Sequence, residues 1–468
     1  MPLVGRLCQV FSSRSYLFAS IIVQCIGLLI TSVAPKLWVF LVGRVFTGIG
    51  GAAVTPVALI LVTELTSKRR RGLFIGLVNT GYTVGISCGA IIAGALEPVV
   101  GWRAIFWLQI PLALAAGVTV FFAIPKNLEA GSKQLQDLTV AQKLSRVDYF
   151  GVVTMISALV LFLYAFTLHE IDYTPIILSA FMLLLFILVE SQYATDPIVP
   201  VAVLKSRGTF LTGFSTTGLM TARWAVLFYT PVYAIAVRDW SPASAGLMLL
   251  PTNGGFALGG ILVGWLHVRR AGSFYIPSLV TYILFAMTLF IVAQLSNSES
   301  ETWVYVIALF ANGFFTGAAM NYTLAHVLHL TIPATHVIVI PLNSMFRGMS
   351  GSFGSAISGG LFARVLRSTL ETDFKYRGLK GKEQLIRQLL GTPALVNSLV
   401  GAEKEVAVDG YTTAVKTLFV SGSILALIVT VFQAGTGWTA PKADTEEEEV
   451  IDEDCVIEPA TSREPSTI

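Results

Sequence analysis

LWVFLVGRVFTGIGGAAVTPVALILVTEL (37–65), TSKRRR (66–71) and GLFIGLVNTGYTVGISCGAIIAG (72–94) decide how this chain folds. Two apolar runs, each long enough to cross a bilayer at roughly 20 residues per span, flank a short basic loop. That loop carries Lys68, Arg69, Arg70 and Arg71. Short loops rich in Lys and Arg stay on the cytosolic side, so the flanking spans are predicted to turn there. Inside the first run sits one cation, Arg44. A cation in hydrocarbon costs about 2.5–3.5 kcal/mol on insertion scales, which makes an interior-facing or functional position its default reading. In the second run Gly81, Gly85 and Gly89 recur every four residues and Gly94 follows, a spacing that predicts a helix face open to close approach by a neighbour.

Working outward, the same pattern fills the chain. Of 468 residues, 54% are hydrophobic and 13% charged, where soluble proteins carry about 25% charged residues. The mean hydropathy is +0.73. The class predicted is an all-α polytopic membrane protein; long apolar runs exclude the short alternating strands of a barrel. About twelve spans are expected, beginning near Ser15, Leu37, Gly72, Trp102, Tyr149, Pro175, Thr209, Ser244, Phe274, Trp303, Val337 and Thr412. The organisation read from them is an N-terminal bundle (1–124), a polar linker (125–148), two central spans (149–207) and a C-terminal bundle (208–434). Within the last, residues 367–410 are expected to form a loop on the far side of the membrane. An acidic tail (435–468) follows, with two cations against ten acids, although the whole chain has a net charge of +3. The remaining cations concentrate in alternate loops, which places both termini in the cytosol and points to anionic lipid rather than nucleic acid as the charged partner. No cleavable leader is expected, because the first apolar run is long and lacks a small-residue cleavage site.

Enzyme chemistry finds no support. Cys8, Cys25, Cys88 and Cys455 are scattered, and the five histidines form no metal-ligand spacing, so no metal or cofactor is expected. Short echoes, GRVFTGIGGAA (43–53) with GFFTGAAM (313–320), suggest an internal repeat of the kind found in transporters.

Four motifs carry a resemblance to the major facilitator superfamily, in particular its fourteen-span fungal drug–proton antiporters. GRLCQVFSSR (5–14) resembles the cytosolic loop motif between family spans two and three, with Gly5 and Arg14 at matching positions. GRVFTGIGGAA resembles the fourth-span motif, with Arg44 as its arginine. GISCGAIIAG (85–94) is similar to the antiporter motif of span five, and GWRAIFWLQIPLAL (101–114) to the start of span six. SPASAGLMLLPTNGG (241–255) and FRGMSGSFGSAISGGLFARVL (346–366) look most like a fungal subgroup that includes vacuolar amino-acid transporters. The departures are Gln9 and Ser12 in the loop motif, Ala90 and Ala93 in the antiporter motif, and the apparent lack of family spans one and two.

The resemblance implies a proton-coupled antiporter that moves a small drug, toxin or metabolite out of the cytosol, working as a monomer in the plasma or vacuolar membrane. The alternatives are vacuolar uptake of basic amino acids and a non-transporting membrane remnant. For Arg44 the choice is between proton coupling and a structural cation. Arg223 and Arg347 are further candidates for proton coupling or for binding a carboxylate, against an interfacial, snorkelling position. Gly81, Gly85, Gly89 and Gly94 are either the antiporter hinge or ordinary packing. Asn79, Tyr82, Tyr229, Asn253 and Asn343 are candidates to line a central cavity, since amides and phenols within spans need partners.

Overall fold

A computed structural model describes Val4, Leu7 and residues 11–66, 68–124, 148–167, 173–192, 206–266, 273–331, 336–378 and 381–437. Gly5, the linker, the loop around Lys205 and the acidic tail beyond 437 lie outside the described residues. Every regular element described is helical. Hydrocarbon offers no water to the backbone, so helices that satisfy their own N–H and C=O groups are what such a sequence can form.

Fourteen α-helices are described: α1 (Ser13–Ser32), α2 (Leu37–Gly51), α3 (Val54–Leu65), α4 (Lys68–Ala123), α5 (Tyr149–Thr167), α6 (Tyr173–Gln192), α7 (Arg207–Ala236), α8 (Pro242–Leu247), α9 (Leu249–Leu266), α10 (Tyr275–Leu295), α11 (Thr302–Leu330), α12 (His336–Tyr376), α13 (Glu383–Gly391) and α14 (Ala402–Ala434). Local signals set several ends. Ser12 caps α1 by accepting from the Ser15 N–H at 3.3 Å, and Ser241 caps α8 from Ser244 at 3.2 Å with Pro242 in the first turn. Gly101, at φ 73°, breaks α4 into two arms, a backbone conformation glycine adopts at little cost.

Nine stretches among the described residues are long and apolar enough to cross a membrane. Tyr149–Ala165 is a shorter apolar helix, while α7 and α12 are long helices that carry Arg223 and Arg347. Helices thus occupy each place where a span was expected.

The helices α1 to α4 pack together, chiefly α1 on α2 and on α4. A second bundle comprises α7, α9, α10, α11, α12 and α14, and the α5–α6 hairpin rests on α12. Its core includes the fully buried Tyr233, Tyr282, Tyr305, Tyr411, Phe285 and Phe419. The bundles meet where α4 packs on α8 and α9, and where α3 packs on α12. Burial is uneven between them: 6% of the most apolar window of Val99–Ala123 is buried, against 56% for Thr302–Leu330.

Two expectations are corrected. The stretch 367–410 is largely helical, because α12 runs on to Tyr376, α13 follows and α14 starts at Ala402. Its charges pair instead of breaking the helices: Arg367 with Glu371 at 2.7 Å, Arg377 with Glu405 at 2.5 Å and Lys382 with Glu403 at 2.7 Å. Beneath them Leu366, Leu370 and Phe374 are buried with Val406 and Tyr411. The second correction concerns Gly81, Gly85 and Gly89. A Cβ built at any of them meets no described atom within 4 Å, so among the described residues this ladder receives no neighbouring backbone.

Candidate functional site

Close glycine packing occurs elsewhere, and it sets up the site. Along α9 and α11 the backbones interlock. A Cβ on Gly313 would strike the Thr252 carbonyl, one on Gly317 the Phe256 carbonyl, and one on Gly255 or Gly259 the carbonyls of Phe310 or Phe314. Small residues permit this approach without any polar driving force. The interlock fixes Thr252, Asn253 and Phe256 on the side of α9 that reaches toward α7 and α4.

Arg223 stands mid-helix in α7 and is 2% exposed. Its guanidinium donates to Thr252 Oγ1, to the Thr252 carbonyl at 3.2 Å and to Asn253 Oδ1 at 2.8 Å. Asn253 then donates through Nδ2 to Ser87 Oγ on α4 at 2.8 Å, crossing between the bundles. Ser87 and Thr83 each back-bond a carbonyl one turn earlier, at 3.1 Å to Thr83 and 2.7 Å to Asn79. One turn further along α4, Asn79 Oδ1 accepts from Arg347 of α12 at 2.5 Å, a second crossing. Both arginines face one ring: the Arg223 and Arg347 guanidinium carbons lie 5.4 Å and 5.8 Å from the Phe256 centroid. Arg347 also lies 5.6 Å from the ring of Tyr82, which is 43% exposed.

The acceptors named here are all neutral. The described ion pairs, Arg367–Glu371, Arg377–Glu405, Arg377–Asp409, Lys382–Glu403 and Lys404–Asp239, include neither arginine. Two positive charges therefore flank one ring, at 5.4 Å and 5.8 Å from its centroid, without a described carboxylate to balance them.

The structure thus brings together Arg223, Arg347, Asn79, Asn253 and Tyr82. It leaves the other candidates apart. Arg44 is exposed on α2, its guanidinium carbon 5.6 Å from the Phe106 ring centroid, in place of the interior position expected of an intramembrane cation. Arg14 is half-buried, its guanidinium 3.9 Å from the Phe121 ring. Tyr229 packs on Phe362 with centroids 4.5 Å apart, a core contact. Asn343 is half-buried one turn before Arg347 and takes no part in the network. Gly94 lies in ordinary contact with α8, 3.7 Å from the Ala243 Cα. Sequence reasoning missed Thr252, Ser87, Thr83 and Phe256. A signal for two of them was present, because Asn79, Thr83 and Ser87 form a polar stripe at four-residue spacing in an apolar helix.

The model of the Major Facilitator Superfamily matches residues 1–355. This chain belongs to that family. Among fungal relatives, the vacuolar membrane amino acid uptake transporter fnx2 of Schizosaccharomyces pombe is 23% identical over 384 residues, covering 80% of this chain and 65% of the relative. Citrate exporter 1 of Yarrowia lipolytica is 24% identical over 474 residues, covering 97% of this chain and 67% of the relative. The chain therefore spans about two thirds of the length of either relative. Among solved structures, that of the human organic anion transporter MFSD10 aligns with a TM-score of 0.56 at 11% identity, covering 92% of this chain and 79% of that one, a likeness of fold. Membership makes this a membrane-embedded transport protein.

Proposed function

We propose that this chain is a secondary transporter that exchanges protons for a small organic molecule and carries it out of the cytosol. The carrying observation is the network of Arg223, Asn253 and Ser87 with Asn79 and Arg347. It joins α4 of the first bundle to α7, α9 and α12 of the second, the place where a site exposed alternately to the two sides would lie. Rocking of the 1–124 bundle against the 208–434 bundle would break and remake these crossings. Both termini face the cytosol in this reading, in the plasma or vacuolar membrane.

The test is flux. The full chain is reconstituted in proteoliposomes, a panel of labelled amphipathic drugs, organic acids and basic amino acids is offered, and exchange is followed with and without a proton gradient. Gradient-dependent movement of one class supports the proposal. Flux that ignores the gradient removes proton coupling, and no flux of any cargo from correctly inserted protein favours the non-transporting remnant. A second reading, uptake of amino acids into the vacuole, draws on the name of the Schizosaccharomyces pombe relative. It also moves cargo away from the cytosol, and a tagged protein confined to the vacuolar rim would favour it. Two unbalanced arginines at the crossing argue against cargo with net positive charge.

A further inference from the structure

We infer that the Arg223–Phe256–Arg347 cluster is a recognition site for an organic carboxylate with an apolar body. The inference rests on the transporter reading above and names the cargo class of its site.

Each element of the cluster has a task that follows from its geometry. Arg223 is buried and already holds Thr252 and Asn253 through three hydrogen bonds, so it contributes mainly fixed charge. Arg347 is half-buried, and its one hydrogen bond to a described residue, at 2.5 Å, goes to Asn79. A guanidinium carries five N–H donors in a planar fork, so most of its donors remain for a ligand. The fork matches the two oxygens of a carboxylate, and a charged acceptor outcompetes an amide oxygen for the same donor. The exposed ring of Tyr82, 5.6 Å from the Arg347 guanidinium carbon, offers the surface on which an apolar body would lie, while Phe256 is buried between the two arginines and holds them in place. Beside Tyr82, a Cβ built at Gly81 or Gly85 meets no described atom within 4 Å.

Electrostatics decides the sign of the ligand. The arginines flank one ring, so their separation cannot exceed the sum of those two distances, and no described carboxylate pairs with either. A cationic ligand would add a third positive charge in a medium where charges are weakly screened, and a neutral one would leave the imbalance untouched. An anion removes it.

The test uses three probes with one apolar body: 2-naphthoate, its methyl ester and 2-naphthylmethylammonium, carrying −1, 0 and +1. Each is titrated into the purified full chain in detergent at neutral pH by calorimetry. Naphthoate is expected to bind at least about tenfold more tightly than the ester, with the ammonium weakest. Arg347→Gln should remove that preference by weakening naphthoate far more than the ester, and Arg347→Lys should restore part of it, since a lysine keeps the charge without the fork. Arg347 is the residue to vary because it is half-buried with one described bond, whereas Arg223 is buried and already committed to Thr252 and Asn253; a monodisperse elution profile accepts the variant. Equal or tighter binding of the ester or ammonium overturns the inference. So does unchanged naphthoate affinity in Arg347→Gln, or no naphthoate binding by folded wild-type protein. Naphthoate binding without flux in proteoliposomes would sink the transport reading and leave the carboxylate site standing.

Discussion

The sharpest consequence of the packing is that two glycine-to-alanine substitutions, chemically identical, should have opposite effects. A Cβ at Gly317 would strike the Phe256 carbonyl oxygen, 2.8 Å from its carbon and 2.9 Å from the Gly260 nitrogen, where ordinary contact begins at 3.4 Å. Every obstacle is backbone, so no rotamer change relieves it, and α9 must move off α11 by about 1 Å. A gap of about 0.5–1 Å forfeits a quarter to a half of each contact's attraction, itself about 0.1–0.2 kcal/mol, and a leucine-sized patch makes roughly 40–60 contacts. The loss is about 2–4 kcal/mol, near the upper end of what overpacking costs. At Gly85 the added methyl meets nothing within 4 Å, and alanine's better helix propensity gains up to about 1 kcal/mol. With about 2–4 °C per kcal/mol for a bundle of this size, the melting temperatures of Gly317→Ala and Gly85→Ala should differ by about 4–20 °C. Thermal scans of the detergent-solubilised variants, read by loss of the monodisperse elution peak, give the comparison. Equal melting points, or a Gly85→Ala variant that melts below Gly317→Ala, would refute the account of which glycines hold helices together.

Arg223→Met should melt within a few degrees of wild type, because the Thr252 hydroxyl and Asn253 oxygen that lose their donor, at about 1–3 kcal/mol each, are largely offset by removing a buried cation, about 2.5–3.5 kcal/mol; flux per inserted molecule should fall more than about tenfold, and a large melting loss with flux retained would make the arginine structural. Arg44→Ala is expected to insert normally and to keep its flux, because Arg44 stands exposed on α2 outside the network. Loss of proton-driven exchange at equal abundance would bring Arg44 back into the mechanism. Asn79→Ala should tighten naphthoate binding a few-fold, since the Arg347 fork no longer has a neutral competitor. Unchanged or weaker binding in the titration would mean that Asn79 orients the fork instead.

How far the sequence could be read depended on which physical scale governed each feature. Span positions were legible because a bilayer imposes a length on every apolar run, and helices stand at each expected place. Helix ends were not, because polarity marks where the bilayer stops and not where the helix does. The helix α12 continues to Tyr376 on paired charges such as Arg367 with Glu371. The glycine ladder misled for a reason of rotation. At about 100° per residue, Gly81, Gly85 and Gly89 point about 200° away from Asn79, Thr83 and Ser87. One of those two stripes had to face α9, and it was the polar one. Nothing within α4 decides between them; the choice is made by Arg347 and Asn253, which lie far along the chain and present donors to it.

That choice ties recognition to motion. Asn253 to Ser87 and Arg347 to Asn79 both cross from one bundle to the other. Rocking the bundles must break them, at about 1–3 kcal/mol for each group left unpaired away from water. A ligand shifts a conformational equilibrium only by the difference in its affinity for the two states, and tenfold corresponds to about 1.4 kcal/mol. An anion that takes the Arg347 fork replaces the Asn79 oxygen as its acceptor, so the arginine stays satisfied while one tie between the bundles opens. A cation has no such exchange to offer at this site, and it would leave both ties in place. The residue that would select cargo by charge is also one that holds the bundles together, and this links the sign of the cargo to its ability to drive the transition.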